Sequence, residues 1–200
     1  GAFEVNCYLV IGDNRQALVI DPGADAKLIQ AALRRNRLTV IAYLLTHGHI
    51  DHISALNDLQ ADFPAPIGLH ETELVVAFSS FNQFPPDYPA MNKSFEIGRD
   101  LKEGATWQEA GLDYRVMETP GHSPGGICLY FEKDKALISG DTLFAGSVGR
   151  TDFPGDSRLL SKSLKRLAAL PDDTRIYPGH GPMTTIAAEK ASNYFLQNLP

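Results

Sequence analysis

A mixed α/β domain is what this sequence predicts, on three observations. Short β-branched or apolar runs of strand length alternate with longer stretches of helical periodicity in both halves of the chain. No linker and no local repeat divides the 200 residues, so a single domain over 1–200 is expected. Apolar residues make up 44% of the chain, and a chain of this length buries ~70% of its unfolded surface, enough for one compact core.

Phe3 to Ile11 and Ala17 to Ile20 read as two strands joined by a turn at Gly12-Asp13-Asn14. Asp21-Pro22-Gly23 stops the second strand. Ala24 to Arg35 is then a helix with Leu28, Ile29, Ala32 and Leu33 on one face. Its basic end, Arg34-Arg35-Asn36-Arg37, suits a helix C-terminus, where cations offset the negative end of the dipole. A strand from Thr39 to Leu45 follows, then a helix from His52 to Leu59, with Ile53, Leu56 and Leu59 at helical spacing. Ile67 to Leu69 reads as a strand and Glu71 to Phe78 as a helix. Strands resume at Leu112 to Met117, Ile127 to Phe131 and Ala136 to Ser139. A helix from Leu159 to Leu170, a strand from Arg175 to Tyr177 and a helix from Thr184 to Leu196 complete the pattern. Between them, Ser79 to Asn92 carries Phe81, Phe84, Tyr88 and three prolines with little periodicity. It reads equally as an ordered surface loop and as a lid or cleft wall, because prolines and aromatics lower the entropy cost of holding a loop near a substrate.

The chemistry concentrates at the ends of these strands. Thr46-His47-Gly48-His49-Ile50-Asp51-His52 places three of the chain's six imidazoles and a carboxylate within six positions. Imidazole and carboxylate together suit zinc, iron or manganese. A solvated loop needs no such clustering, and a buried one would have to satisfy three imidazoles at once. His122 in Pro120-Gly121-His122, Asp141 in Gly140-Asp141-Thr142 and His180 in Pro178-Gly179-His180 each follow a short strand-like run and are held by Gly or Pro. Rigid strands delivering ligands from loops at one edge is how a scaffold positions metal chemistry. Five histidines and two aspartates are enough for two metals sharing a carboxylate. His70, which ends the Ile67 strand, matches none of these settings and reads as structural.

Composition excludes other classes. A net charge of -6 without a basic tract argues against nucleic acid. No apolar run reaches the ~18 residues of a membrane span. Cys7 and Cys128 lie in apolar strand-like runs and read as buried reduced thiols, which points to a cytoplasmic setting.

The order His-x-His-x-Asp-His, Pro-Gly-His, Gly-Asp-Thr and a final Gly-His resembles the metallo-β-lactamase superfamily, from Asn6-Cys7-Tyr8 through Asp21-Pro22-Gly23 to His180. The resemblance implies an αββα sandwich with a metal site at one edge of its two sheets. Residue by residue, it implies His47, His49 and His122 on one metal and Asp51, His52 and His180 on the other. Asp141 would bridge them, and Asp51 is also a candidate catalytic residue. Two divalent ions follow, zinc first, with iron or manganese also compatible with this set. Gly140 to Gly146 followed by Gly149-Arg150-Thr151-Asp152-Phe153 resembles, more narrowly, the glyoxalase II (hydroxyacylglutathione hydrolase) branch, its single-domain relatives and the persulfide dioxygenases.

The activity so implied is hydrolysis of a small-molecule thioester, S-D-lactoylglutathione in particular. A hydroxide between the metals would attack the carbonyl, since a water shared by two cations has its pKa lowered toward neutrality. Aspartate at position 141, where the best-known class B β-lactamases have cysteine, argues against their activity. Arg150 stands where glyoxalase II enzymes have a basic glutathione contact and is the candidate substrate-binding residue. Asp152 stands where they often have an aromatic, and only twenty residues follow His180, too few for their helical C-terminal domain. An Arg150–Asp152 ion pair is therefore an equal reading of Arg150. The alternatives are a persulfide dioxygenase with one iron at His47, His122 and Asp141, and a metal-binding scaffold without turnover. Nothing in the sequence indicates an oligomeric state.

Overall fold

The computed structural model describes residues 1–91 and 94–199, so the Asn92 end of the aromatic, proline-containing segment lies outside the described residues. The chain forms two compact units, residues 1–101 with 108–112, and residues 102–107 with 113 onward.

The first unit is built on a five-stranded sheet in the order β1-β2-β3-β4-β5: Tyr8–Ile11 (β1), Gln16–Ile20 (β2), Thr39–Leu44 (β3), Ile67–Leu69 (β4) and Arg99–Asp100 (β5). β1 is antiparallel to β2, and β2 through β5 are parallel. Ala17 to Ile20 is buried without interruption, as expected of an internal strand whose two faces are both covered. Because β2, β3 and β4 point the same way, Asp21, the His47 loop and His70 all leave one edge of the sheet. The helices are Ala26–Arg35 (α1), Ile50–Ile53 (α2), Leu56–Asp62 (α3) and Glu73–Ala77 (α4). Their apolar faces meet the sheet in a core that includes Val19, Leu33, Tyr43, Leu45, Ile53, Leu56 and Leu59.

Three expectations change here. The first strand begins at Tyr8, not Phe3. Tyr8 pairs with Ile20, the last residue of β2, so the β1–β2 ladder starts there, and Glu4 turns the chain with φ 54°. In α1 the face turned to the core runs through Ala26, Ile29 and Leu33, and Leu28 is 70% exposed. The helix expected from His52 to Leu59 is two short helices, because the Ala55 N–H donates to Pro22 O (3.0 Å) at the break and ties this point to the turn after β2. A tertiary hydrogen bond thus overrides local helical spacing.

The second sheet runs β13-β12-β9-β8-β7-β6, with Thr106–Glu109 (β6), Leu112–Glu118 (β7), Ile127–Phe131 (β8), Ala136–Gly140 (β9), Arg175–Pro178 (β12) and Thr184–Thr185 (β13). A small hairpin, Leu143–Phe144 (β10) with Ser147–Val148 (β11), follows β9. β7 and β8 are antiparallel, as are β8 and β9, while β9 and β12 are parallel. β7, β9 and β12 therefore run in one direction and release their C-terminal loops at one edge. Those loops carry His122, Asp141 and His180. The helix Ser157–Ala168 (α5) lays Leu160, Leu164 and Leu167 on Met117, Tyr130, Leu137 and Ile176. Its N-cap Asp156 accepts from the N–H groups of Arg158 and Leu159, and those bonds hold its carboxyl below the usual range.

The helix expected from Thr184 to Leu196 divides as well. Thr184 and Thr185 pair as an edge strand. Ile186–Ser192 (α6) and Tyr194–Gln197 (α7) are separated by Asn193, an extended residue whose side chain caps α7 by accepting from Phe195 N–H (3.0 Å). Both cysteines are free, and Cys128 is buried in β8. No helix among the described residues is long and apolar enough to cross a membrane.

Candidate metal centre

In the first unit, β3 ends at Leu44 and the chain turns through Thr46 into His47, His49, Asp51 and His52, all of them buried. Asp51 and His52 stand on the one-turn helix α2, so the local spacing of the ligands is set by helix geometry at one end and by extended chain at the other. The ligating atoms of His47 and His49, of His47 and His52, and of Asp51 and His52 lie within 4.8 Å of one another. The rings confirm the convergence: His47 lies 4.7 Å from His49 and 4.1 Å from His52, centroid to centroid.

Buried hydrogen bonds hold this cluster. Asp21 Oδ1 accepts from Thr46 N–H (2.7 Å), and its Oδ2 accepts from Thr46 Oγ1 (2.7 Å) and His52 Nδ1 (3.0 Å). Thr46 Oγ1, its proton committed to Asp21, accepts from His47 Nδ1 (3.0 Å). Glu73 Oε2 accepts from Gly48 N–H (2.7 Å). Asn82 accepts from Ile50 N–H (2.9 Å) and donates to Gly48 O (2.8 Å). The backbone between the first two histidines is thus gripped on both its N–H and its C=O. Gly23 also meets a steric demand here, since a Cβ would lie 1.6 Å from Asp51 O. Only glycine allows the turn after β2 to approach α2 so closely.

In the second unit, His122, Asp141 and His180 come from three loops yet meet at one atom. Asp141 Oδ2 lies 3.5 Å from His122 Nε2 and 3.5 Å from His180 Nε2. His122 Nδ1 donates to the backbone carbonyl of Arg150 (2.7 Å). The edge of one ring of Phe144 and His180 faces the plane of the other, centroids 6.0 Å apart.

These partners decide which nitrogen carries each proton. An ionised carboxylate, a committed hydroxyl and a carbonyl can only accept, so Nδ1 is the protonated nitrogen of His52, His47 and His122. In the neutral ring Nε2 then carries the lone pair. On His52 that lone pair faces Asp51 Oδ2 at 3.8 Å, and on His122 it faces Asp141 Oδ2. Lone pairs pointed at carboxylates repel unless a cation sits among them. Fixing a histidine through its other nitrogen is how metal-ligating imidazoles are oriented. The donor set in each unit fits a divalent cation on chemical grounds.

Other candidates fall elsewhere. His70 Nδ1 meets Thr72 Oγ1 (2.9 Å), in keeping with a structural role. The Arg150 guanidinium makes a two-pronged pair with Asp152 (Nε to Oδ1 3.0 Å, Nη2 to Oδ2 2.7 Å), which holds the Asp152 carboxyl below its usual range. Arg150 thus serves His122 through its backbone while its side chain is 78% exposed. Sequence reasoning read Asp21 as a strand stop and passed over Glu73 and Asn82. The signal for Asp21 was the turn Asp-Pro-Gly at a strand end, like those after the other ligand-bearing strands. For Glu73 and Asn82 no local signal exists, because their partners lie 25 and more residues away.

Comparison with known proteins agrees with this geometry. The family model of the metallo-beta-lactamase superfamily matches residues 1–180. The hydroxyacylglutathione hydrolase GloC of Haemophilus influenzae is 37% identical over 202 residues, 98% of this chain and 95% of the relative. Among solved structures, the BLEG-1 B3 metallo-beta-lactamase superposes with TM-score 0.91 at 35% identity, covering 99% of this chain and 97% of its own. TTHA1623, solved in a di-iron-bound form, superposes with TM-score 0.87 at 38% identity, covering 98% and 97%. The α/β fold class expected from the motifs is that of these neighbours, and the chain belongs to the metallo-beta-lactamase superfamily of metal-binding hydrolases.

Proposed function

We propose that His47, His49, Asp51, His52, His122, Asp141 and His180 act as one centre for two divalent cations, and that the chain hydrolyses small-molecule thioesters, with S-D-lactoylglutathione as the expected substrate. The observation that carries the substrate class is the 37% identity, over nearly the full length of both chains, to a protein named hydroxyacylglutathione hydrolase. The donor chemistry of each unit supports the metal half of the reading. Once bound, such a pair of cations supplies an acidified water and polarises a carbonyl oxygen.

The chain's own residues do the rest. Asp21, Thr46 and the Arg150 carbonyl keep the protons of His52, His47 and His122 on Nδ1, so each Nε2 is presented as a ligand in a fixed direction. Asp141, whose Oδ2 is 3.5 Å from each of two imidazole nitrogens, would hold both cations in this reading. Asp51 Oδ2 offers a second carboxylate that can take a proton from the attacking water. Arg150 lines a cavity of about 590 Å³ together with Val148, Leu160, Leu164, Tyr194 and Phe195. In this reading the cavity receives the thiol arm, and the guanidinium exchanges the Asp152 carboxylate for one on the substrate. Zinc as the resident metal and a cytoplasmic setting belong to the same proposal.

Two observations keep other chemistries in the test: the B3 metallo-beta-lactamase among the neighbours, and the di-iron form of another. Protein loaded separately with zinc and with iron is assayed for thiol release from S-D-lactoylglutathione, opening of a chromogenic cephalosporin, and oxygen uptake with glutathione persulfide. Thiol release as the dominant rate is expected. Cephalosporin opening without thiol release would make the chain a lactam hydrolase. Oxygen uptake by the iron form alone would make it a dioxygenase, and metal binding without any turnover would leave a scaffold.

A further inference from the structure

The hairpin β10–β11 adjoins every candidate ligand of the second unit. It starts two residues after Asp141, its Phe144 ring lies against His180, and two residues past it Arg150 O holds His122 Nδ1. A Cβ on Gly149 would stand 1.8 Å from Asp141 O and 3.0 Å from His122 Cβ, so the residue that follows the return strand runs directly against both residues. A shift of this hairpin therefore moves the donors together.

What holds the hairpin is a buried polar pair from the chain's last helices. Glu189 of α6 is 2% exposed and Asn193, which ends that helix, is fully buried. Glu189 Oε2 accepts from Gly146 N–H at the hairpin tip (2.8 Å) and from Asn193 Nδ2 (2.7 Å), while Oε1 accepts from Thr184 Oγ1 (2.6 Å). Asn193 Nδ2 donates to Ser147 O (3.1 Å), with Phe144 O at 3.5 Å. A buried carboxylate is costly unless it is well hydrogen-bonded, and here a helix spends one on holding a six-residue hairpin. Ordinary packing of a short hairpin does not require a buried charge.

We infer that Glu189 and Asn193 are positioning residues that set the metal affinity of the His122–Asp141–His180 group by fixing the β10–β11 hairpin. The inference rests on the proposed metal centre, and neither residue touches the metal or the substrate. Groups hydrogen-bonded to metal ligands are worth ~10–100-fold in affinity; Glu189 and Asn193 stand one step further out, but they hold a hairpin that adjoins all three candidate ligands.

The test uses the full chain, with Zn²⁺ affinity measured by competition against a chromophoric chelator and the ligand field read from the absorption spectrum of the Co²⁺ form. Glu189→Leu is expected to weaken Zn²⁺ by ~10-fold or more and to alter the Co²⁺ bands. Glu189→Gln is expected to stay within about threefold of wild type, because a glutamine can turn its NH₂ to the Thr184 hydroxyl and keep its oxygen for Gly146 and Asn193. A folded Glu189→Leu with wild-type affinity and spectrum would overturn the inference. So would a Glu189→Gln as damaged as Glu189→Leu, since charge and not hairpin geometry would then matter. Should Glu189→Leu not fold, Asn193→Ala, which spares the bond to Gly146, is expected to shift affinity and spectrum in the same direction by a smaller factor. A folded Asn193→Ala that shifts neither would count equally against it. Wild-type protein that binds no Zn²⁺ would instead sink the metal-centre reading on which the inference rests.

Discussion

The two groups of candidate ligands are assembled by opposite strategies. In the first unit four ligands come from one six-residue stretch, are all buried, and are held by buried side chains that bind the backbone and rings directly. In the second unit three ligands come from separate loops, are only half buried, and meet at the Oδ2 of Asp141. Each unit nonetheless uses a buried glutamate with a buried asparagine, Glu73 with Asn82 and Glu189 with Asn193, to grip a glycine-containing turn. The difference teaches where metal binding and stability separate. Both groups set an imidazole nitrogen against a carboxylate. The first, however, is ordered by a network of buried hydrogen bonds that exist without a cation, whereas the second brings two imidazoles to one carboxylate oxygen and gains more from a cation.

Asp141→Ala should produce the largest functional effect, removing the atom on which the second group converges. A loss of at least ~100-fold in metal retention and thiol release is expected, given that residues one step further out already cost ~10–100-fold. The urea midpoint of metal-free protein should barely move. Full metal content with near-normal turnover would break the comparison at its centre.

Asp21→Ala should do the reverse. It strands Thr46 N–H, Thr46 Oγ1 and His52 Nδ1 in the core, and buried donors left without acceptors cost ~1–3 kcal/mol each. A loss of about 3 kcal/mol in urea denaturation is expected even in metal-free protein. If chelated wild type and chelated variant unfold at the same midpoint, the first group is not pre-ordered as described.

Gly149→Ala tests the close approach of the hairpin to Asp141 and His122. The added methyl group forces the backbone apart, which costs ~1–3 kcal/mol in a packed site, and metal affinity should fall with it. Unchanged affinity would show that the hairpin can move without dragging the ligands.

The thiols offer a finer discrimination. Burial pushes Cys7 up to about 12, with the Asp21 charge adding to it, and pushes Cys128 up to about 11. Both lie above the ~8.5 of an unfolded thiol, so the folded state keeps protons that the unfolded state releases. Their contribution to stability is complete below pH ~8.5 and is lost as pH rises through 11 and 12. Urea midpoints should therefore fall between pH 8.5 and 11. Asp21→Asn should speed alkylation of Cys7 relative to Cys128. Equal rates would mean that Asp21 does not reach the Cys7 thiol.

The smallest effect belongs to Arg150→Ala. The Arg150 carbonyl that holds His122 survives the substitution, and the exposed pair with Asp152 contributes little in water. Metal content and melting should stay at wild-type values, with a several-fold rise in KM for S-D-lactoylglutathione and kcat kept. A KM that does not move would assign the side chain to Asp152 alone.

Much of this was legible in the chain itself. The strand from Ile127 to Phe131 appears with the boundaries its apolar run suggests, and most other strands and helices lie within a few residues of expectation. The expected ligands fall into two converging groups, because histidines and aspartates bracketed by glycine and proline at strand ends are a local pattern with few uses. Tertiary structure alone decided the rest. The two-residue strands have no periodicity to detect, and the helix breaks at Ala55 and Asn193 answer to partners elsewhere in the fold. So do the roles of Asp21, Glu73, Asn82, Glu189 and Asn193, each defined by a hydrogen bond to a backbone group that folding brings near. Local spacing can announce which residues bind a metal. It carries no record of which distant side chain will hold them still.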